Sequence, residues 1–243
     1  QSNIMQKYFN TTGPVYADKH YYIDPITRID WDEMSRLIEL EKFFVLHAPR
    51  QTGKTSTLFA MADKLNQSGD YLALYINVEA AQTARGDVEK GMQTIISRLI
   101  AGAKYRLQDT RLQGWREHEW QENGANAVFN ALLSRWAAES DKPIVLMIDE
   151  VDALVGDTLI SLLRQLREGY INRPEIPFPQ SVILFGVRDV RDYRIHTQHQ
   201  EIITGGSAFN IKSESLQMGN FSQKESDALW QQHTTLTGQS FDE

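Results

Sequence analysis

The 243-residue sequence contains no cysteine. Disulfide bonds, thiolate metal sites and a cysteine nucleophile are therefore excluded. It also has no apolar run close to the roughly eighteen residues that cross a bilayer, and no charged-then-apolar leader at its start. We therefore expect a cytoplasmic protein that has no membrane partner.

Positive charge is in deficit, because 25 Lys and Arg residues face 32 Asp and Glu residues and give a formal net charge of -7. This balance does not indicate nucleic-acid binding by charge alone, although a local basic face is not excluded. The Asn/Thr/Ser-Lys-x-Asp motif that reads guanine is absent, and so is the Asp/Glu-x-Lys triplet of many nucleases. With 41% hydrophobic and 23% charged residues, the composition suits one α/β domain.

A short apolar run, Phe43 to Leu46, leads into a loop that ends in Gly-Lys-Thr, and a helix-forming segment from Ser56 to Asn66 follows. The order strand, phosphate loop, helix is typical of a Walker A motif. The residues expected to contact the nucleotide are Ala48, Pro49, Arg50, Gln51, Thr52, Gly53, Lys54, Thr55 and Ser56.

The chemistry of phosphate binding explains these residue types. Backbone N–H groups must turn inward around phosphate oxygens, which requires Gly53, and the N-terminus of the following helix adds partial positive charge. Lys54 is predicted to reach the β- and γ-phosphates, and Thr55 to offer its hydroxyl to Mg²⁺. Ala48 stands where the motif usually has its first glycine, and we expect the loop to close normally around it.

A second motif follows the apolar run Ile144 to Ile148, which is typical of a central strand of a parallel sheet. Asp149 and Glu150 come directly after it, at the edge where ligands collect in open α/β sheets. This Walker B arrangement predicts that Asp149 holds Mg²⁺ and that Glu150 activates the attacking water. The alternative, a helix N-cap pair, is less favoured beside a phosphate loop.

The remaining pattern predicts helices and strands in alternation. We expect helices at about 32–40, 87–106, 123–139 and 159–170, strands at 71–78, 181–187 and 209–216, and a connecting or interaction region at 107–121. Trp115 and Trp120 in that region are interpreted as helix-packing aromatics. A loop follows the strand 181–187, and either Arg188 or Asp189 at its start is a candidate for sensing the γ-phosphate. Arg164, Arg167 and Arg173 are candidate arginine fingers, but solubility of the helix surface is the favoured interpretation.

Four segments carry a family resemblance: HAPRQTGKT (47–55), IDEVDALVGDTLI (148–160), GVRDVRDYR (186–194) and ITGGSAFNIK (203–212). They resemble a bacterial family of AAA-like ATP-binding proteins, related to the origin-recognition-type AAA+ ATPases and the STAND ATPases. The resemblance implies a P-loop NTPase fold, a three-layer αβα domain with a parallel sheet of order 5-1-4-3-2 and a small helical lid. It also implies ATP rather than GTP, and it assigns the sensing position at the end of the fourth strand to Arg188.

The expected organisation is a cloning remnant at 1–4, an ATPase core at 5–220 and the start of a truncated lid at 221–243. The first hypothesis is a Mg²⁺-dependent ATPase that acts as a nucleotide-dependent switch in a larger protein or assembly, with a protein partner or a homo-oligomer. One alternative is a small-molecule kinase in which Arg188, Arg191 and Arg194 clamp phosphate, and another is a scaffold that binds ATP without hydrolysing it.

Overall fold

The computed structural model describes residues 31–47, 54–186, 194–196, 202–204 and 215–217. The strands within these ranges are β1 (Phe44–His47), β2 (Leu72–Asn77), β3 (Ile144–Asp149), β4 (Ser181–Phe185), β5 (Arg194–His196), β6 (Ile202–Thr204) and β7 (Ser215–Gln217). The predicted α/β class with a parallel sheet is confirmed.

Five strands form one sheet in the order β2-β3-β4-β1-β7, and every neighbouring pair is parallel. The first four strands therefore have the predicted arrangement, 1-4-3-2. The position beside β1 belongs to the seventh of the described strands rather than the fifth, because β5 and β6 form a separate antiparallel pair in a region interpreted as a loop. The strand predicted at 209–216 is described only as β7.

Helices cover both faces of the sheet. Within the described ranges they are α1 (Trp31–Glu39), α2 (Lys54–Ser68), α3 (Val88–Leu107), α4 (Arg111–Asn123), α5 (Val128–Glu139) and α6 (Gly156–Asn172), with two short 3-10 helices at Glu79–Ala84 and Val151–Ala153. One buried cluster joins α1 and α2 to the sheet, and another joins α3, α5 and α6 to its other face. This is the predicted three-layer αβα arrangement.

Strand β2 shows how side-chain alternation builds the two layers. Leu74 and Ile76 pack in the cluster with α3, whereas Ala73 and Tyr75 pack in the cluster with α2. Successive side chains of a strand point to opposite faces, so both sides of an apolar strand are buried in a sheet covered by helices. The hydroxyl of Tyr75 is thus brought into the layer that contains α2.

Most of the segment 107–121 forms α4, so the prediction of a connecting region is wrong, whereas an interaction role stays a prediction. The sequence of α4 has no helical pattern of apolar residues, because Leu112 is the only fully buried residue of this helix. Other contacts hold it in place: the Arg135 guanidinium lies 4.6 Å from the centre of the Trp115 ring and donates to Glu119 at 2.9 Å. Trp115 and Trp120 pack partly buried against the core, as helix-packing aromatics.

The prediction that Arg173 serves surface solubility is also wrong. Its guanidinium donates to the backbone carbonyls of Gln180 at 2.6 Å and Glu41 at 2.7 Å. It also lies over the rings of Tyr170 and Phe43, at 4.5 and 5.1 Å from their centres. Arg173 therefore joins the end of α6 to the segments that precede β1 and β4.

Among the described helices, none is both long and apolar enough to cross a membrane.

Candidate functional site

Lys54 is the first residue of α2, and its ammonium group meets two carboxylates at the end of β3. Its Nζ lies 2.8 Å from Asp149 Oδ1 and 3.0 Å from Glu150 Oε1. Burial by itself would lower the pKa of Lys54, but the hydrogen bond and charge of Asp149, followed by those of Glu150, outweigh it and raise the pKa above 10.5. The side chain is therefore a fixed positive charge at neutral pH.

Asp149 is the buried member of this cluster, with a side chain that is only 1% exposed. Its Oδ1 accepts from Lys54 and from the backbone N–H of Glu150 at 2.8 Å. Its Oδ2 accepts from the Tyr75 hydroxyl, also at 2.8 Å. Burial, followed by the charge of Asp149 and the hydrogen bond to it, raises the pKa of Tyr75 well above its ordinary value, so the phenol is a donor.

Glu150 differs from Asp149 in exposure and in backbone conformation. Its side chain is 32% exposed, and its φ of 59° lies in the left-handed region, which costs a non-glycine residue on the order of 1–3 kcal/mol. Backbone contacts hold this turn, because the N–H of Asp152 donates to the carbonyl of Gly186 at 2.9 Å. Glu150 is thereby fixed beside Lys54 while its side chain faces solvent in part.

Gly186, at the end of β4, allows this close approach. Its φ is 64°, and a Cβ added to it would lie 3.1 Å from the Cα of Glu150. A side chain here would therefore both strain the backbone and press on the turn that carries Glu150.

The structure brings three of the predicted site residues into contact: Lys54, Asp149 and Glu150. Thr55 is half-buried and Ser56 is buried, and both follow Lys54 in the first turn of α2. The loop residues Ala48, Pro49, Arg50, Gln51, Thr52 and Gly53 lie outside the described residues, and so does Arg188.

Sequence analysis missed Tyr75 and Gly186. The signal for Tyr75 was present, since β2 and β3 are neighbours in the implied strand order and a tyrosine near the end of β2 can reach the first carboxylate after β3. Gly186 had a weaker signal, because a glycine that follows an apolar strand is also an ordinary turn residue.

Comparison with solved structures supports the fold. A Walker-type ATPase of Pyrococcus abyssi is 14% identical with a TM-score of 0.52, and the alignment covers 88% of this chain and 60% of that one. A chain in the E. coli MS115-1 HORMA:CdnC:Trip13 complex is 13% identical with a TM-score of 0.50, covering 91% of this chain and 74% of that one. A chain in the structure of Drosophila ORC bound to poly(dA/dT) DNA and Cdc6 is 11% identical with a TM-score of 0.50, covering 82% and 30%.

This chain therefore spans 60% and 30% of the lengths of the Pyrococcus and Drosophila chains. No curated protein matches it. The model of a protein family described as the AAA domain matches residues 38–193, a range that includes β1, both carboxylates of the cluster and β4. The match spans more than half of the sequence, so the chain belongs to the AAA domain family.

Proposed function

We propose that this chain binds ATP with Mg²⁺ at the C-terminal edge of its sheet and hydrolyses the nucleotide, acting as a switch in a larger protein or assembly. The observation that carries the proposal is the contact of Lys54 with both Asp149 and Glu150. The cluster joins an ammonium group at a helix N-terminus, which suits phosphate, to carboxylates, which suit Mg²⁺ and water activation.

The donor set is compatible with Mg²⁺. This ion is usually bound by one or two carboxylates together with substrate phosphates and water, rather than by a cage of protein ligands. Among the described residues, no three or more His, Cys, Asp or Glu side chains come together as a metal site. Asp149 and the Thr55 hydroxyl would hold Mg²⁺, which when bound neutralises charge on the β- and γ-phosphate oxygens.

The protein groups have separate roles in this proposal. Lys54 moves from the carboxylates to the phosphates, where its charge stabilises phosphate oxygens more strongly because the site excludes water. The backbone N–H groups of residues 48–53 and the start of α2 with Ser56 cradle the phosphate chain. Glu150 orients the attacking water and accepts its proton, and Arg188 senses the γ-phosphate.

Partial exposure of Glu150 suits its role as general base. A base must reach a water molecule that enters from solvent, whereas Asp149 has only to orient a metal ion from a buried position. Release of Lys54 to the phosphates would also free Glu150 Oε1 to accept from that water. The change of partner at Lys54 therefore couples nucleotide binding to activation of the base.

The switch role draws on the similar structures. The Drosophila ORC and Trip13 structures are described as complexes, and a homo-oligomer or a protein partner is proposed for this chain by analogy. The kinase alternative depends on Arg188, Arg191 and Arg194; the first two lie outside the described residues, and Arg194 is the first residue of β5.

The experiment is steady-state phosphate release from ATP and Mg²⁺ by the natural chain and by Glu150→Gln. The variant should bind ATP but release phosphate at least about 100-fold more slowly, because it lacks the general base. Glu79→Gln is the matched control, since Glu79 is an exposed glutamate just beyond β2. If natural chain and variant bind ATP equally and neither releases phosphate, then either the protein is a non-hydrolysing scaffold or a lid, a second subunit or a partner must complete the site. A phosphorylated small molecule found by mass spectrometry would favour the kinase instead.

A further inference from the structure

Tyr75 holds one of the two oxygens of the Asp149 carboxylate. The phenol donates to Asp149 Oδ2 at 2.8 Å, and the tyrosine is only 6% exposed. The other oxygen, Oδ1, accepts from the backbone N–H of Glu150 and from Lys54. A carboxylate with donors on both oxygens has little freedom to rotate about its terminal torsion.

The Tyr75 ring is itself held by packing against another aromatic ring, that of Phe59. The rings of Tyr75 and Phe59 pack edge to face: their centres lie 4.9 Å apart, and their planes meet at an angle of 75°. The Arg106 guanidinium covers Phe59 at 3.6 Å from its ring centre. The position of the phenol oxygen is therefore set by contacts that do not involve the nucleotide site.

We infer that Tyr75 is a positioning residue for the Mg²⁺–ATP complex: it fixes the orientation in which Asp149 meets the metal ion. This inference rests on the proposed function. When Lys54 moves to the phosphates, Asp149 loses a donor, and the Tyr75 hydroxyl and the Glu150 N–H remain to hold it. Groups that orient a metal ligand in this way typically affect metal affinity by 10–100-fold.

Tyr75→Phe tests the inference, because it removes one oxygen atom and retains the ring that packs on Phe59. The measurement is ATP affinity by calorimetry, once with Mg²⁺ and once with EDTA. In the variant, the gain in affinity that Mg²⁺ confers should fall about tenfold or be lost, while the affinity in EDTA stays unchanged. If phosphate release is measurable, raised Mg²⁺ concentration should restore it in the variant.

Tyr71→Phe is the matched control, since Tyr71 is a half-buried tyrosine just before β2, at the opposite end of the strand from Asp149. It should leave both affinities unchanged. Phe59→Leu is a second variant that keeps the hydroxyl but loosens the ring, and it should reduce the Mg²⁺ gain by a smaller factor. Thermal melting of each variant verifies that it is folded. If Tyr75→Phe does not fold, the Mg²⁺ gain of Phe59→Leu tests the inference instead.

The outcomes separate this inference from the proposed function. An unchanged Mg²⁺ gain in Tyr75→Phe overturns the inference alone, and so does an equal loss of affinity with Mg²⁺ and with EDTA, which would indicate a packing role. If the natural chain binds no ATP, the proposed function fails and the inference fails with it. If it binds ATP without phosphate release, hydrolysis is refuted, while the Mg²⁺ gain still decides the role of Tyr75.

Discussion

The two edges of the sheet both carry charged groups, but they use them differently. At the C-terminal edge, Lys54 lies between Asp149 and Glu150, so one ammonium group faces two carboxylates. At the N-terminal edge, Asp109 accepts three hydrogen bonds from Arg111, two from the guanidinium at 3.0 and 2.7 Å and one from the backbone N–H at 3.1 Å. It also accepts one from the indole N–H of the buried Trp136 at 3.0 Å. The Lys54 cluster therefore has more carboxylates than cations, whereas in the Asp109 cluster one carboxylate is paired with one guanidinium.

The remaining donors at the N-terminal edge end on fixed groups. Arg111 donates further to the backbone carbonyl of Glu139 and to the Ser140 hydroxyl. The hydrogen bonds of Arg111 are the main reason that the pKa of Asp109 is lowered, and they outweigh its burial. In such a network each charged group already has partners that belong to the fold, so a new partner would have to compete with them.

At the C-terminal edge, by contrast, the two carboxylates that contact Lys54 are side chains, and in the proposed function Lys54 exchanges them for phosphate oxygens. Glu150 is partly exposed, and the two carboxylates would carry a formal charge of -2 once Lys54 has left, which favours a cation. The comparison teaches that a buried charge indicates a functional site only when its partners can be exchanged. Partners fixed by the fold indicate a structural role.

The largest expected effect is the loss of ATP binding in Lys54→Ala. Removal of the ammonium should weaken ATP affinity by at least about 100-fold, or about 3 kcal/mol, because hydrogen bonds to charged groups contribute this much. Calorimetry in the presence of Mg²⁺ measures it. Lys104→Ala, which removes a lysine that lies 5.4 Å from the ring centre of the exposed Tyr105, is the control and should bind normally. Unchanged ATP affinity in Lys54→Ala would mean that the Lys54 cluster has a structural role, like the Asp109 cluster, and does not bind phosphate.

The next effect is on stability rather than binding. Asp109→Asn keeps the shape of the side chain, but its amide group would point N–H donors at the Arg111 guanidinium or the Trp136 indole. We expect urea denaturation to give a free energy of unfolding lower by about 1.5–3 kcal/mol. ATP affinity should not change, and a loss of affinity would show that the two edges are coupled.

The pH dependence of this loss has a definite sign. The pKa of Asp109 is lower in the folded protein than its ordinary 3.8, so its contribution is fully present above that value. The contribution is lost as the pH falls from about 3.8 through the folded-state pKa. The stability gap between the natural chain and Asp109→Asn should therefore be constant from pH 7 to about 5 and narrow below 4. Asp141→Asn, an exposed aspartate nearby, should be close to neutral throughout.

The local signals of the sequence are sufficient for the apolar strands and for the cluster, because Lys54, Asp149 and Glu150 belong to motifs in which spacing and chemistry coincide. They are insufficient where long-range contacts decide the structure. Helix α4 depends on Arg135 from another helix, and the role of Tyr75 depends on which strand lies beside β3. Arg173 has the sequence context of a surface arginine, yet one of its hydrogen-bond partners, Glu41, lies more than a hundred residues away in the sequence.

The smallest expected effect belongs to Arg164→Ala, which separates a surface arginine from a structural one. Arg164 is exposed on α6, so its removal should change the free energy of unfolding by less than about 0.5 kcal/mol and leave phosphate release unchanged. Arg173→Ala is the contrast, with an expected loss of about 1.5–3 kcal/mol, because it deprives two backbone carbonyls of a charged donor. The decisive measurement is phosphate release over a range of protein concentrations. If Arg164→Ala slows phosphate release at least tenfold while its free energy of unfolding equals that of the natural chain, Arg164 completes the site of a neighbouring subunit. The proposed ATP site would then include residues of two chains.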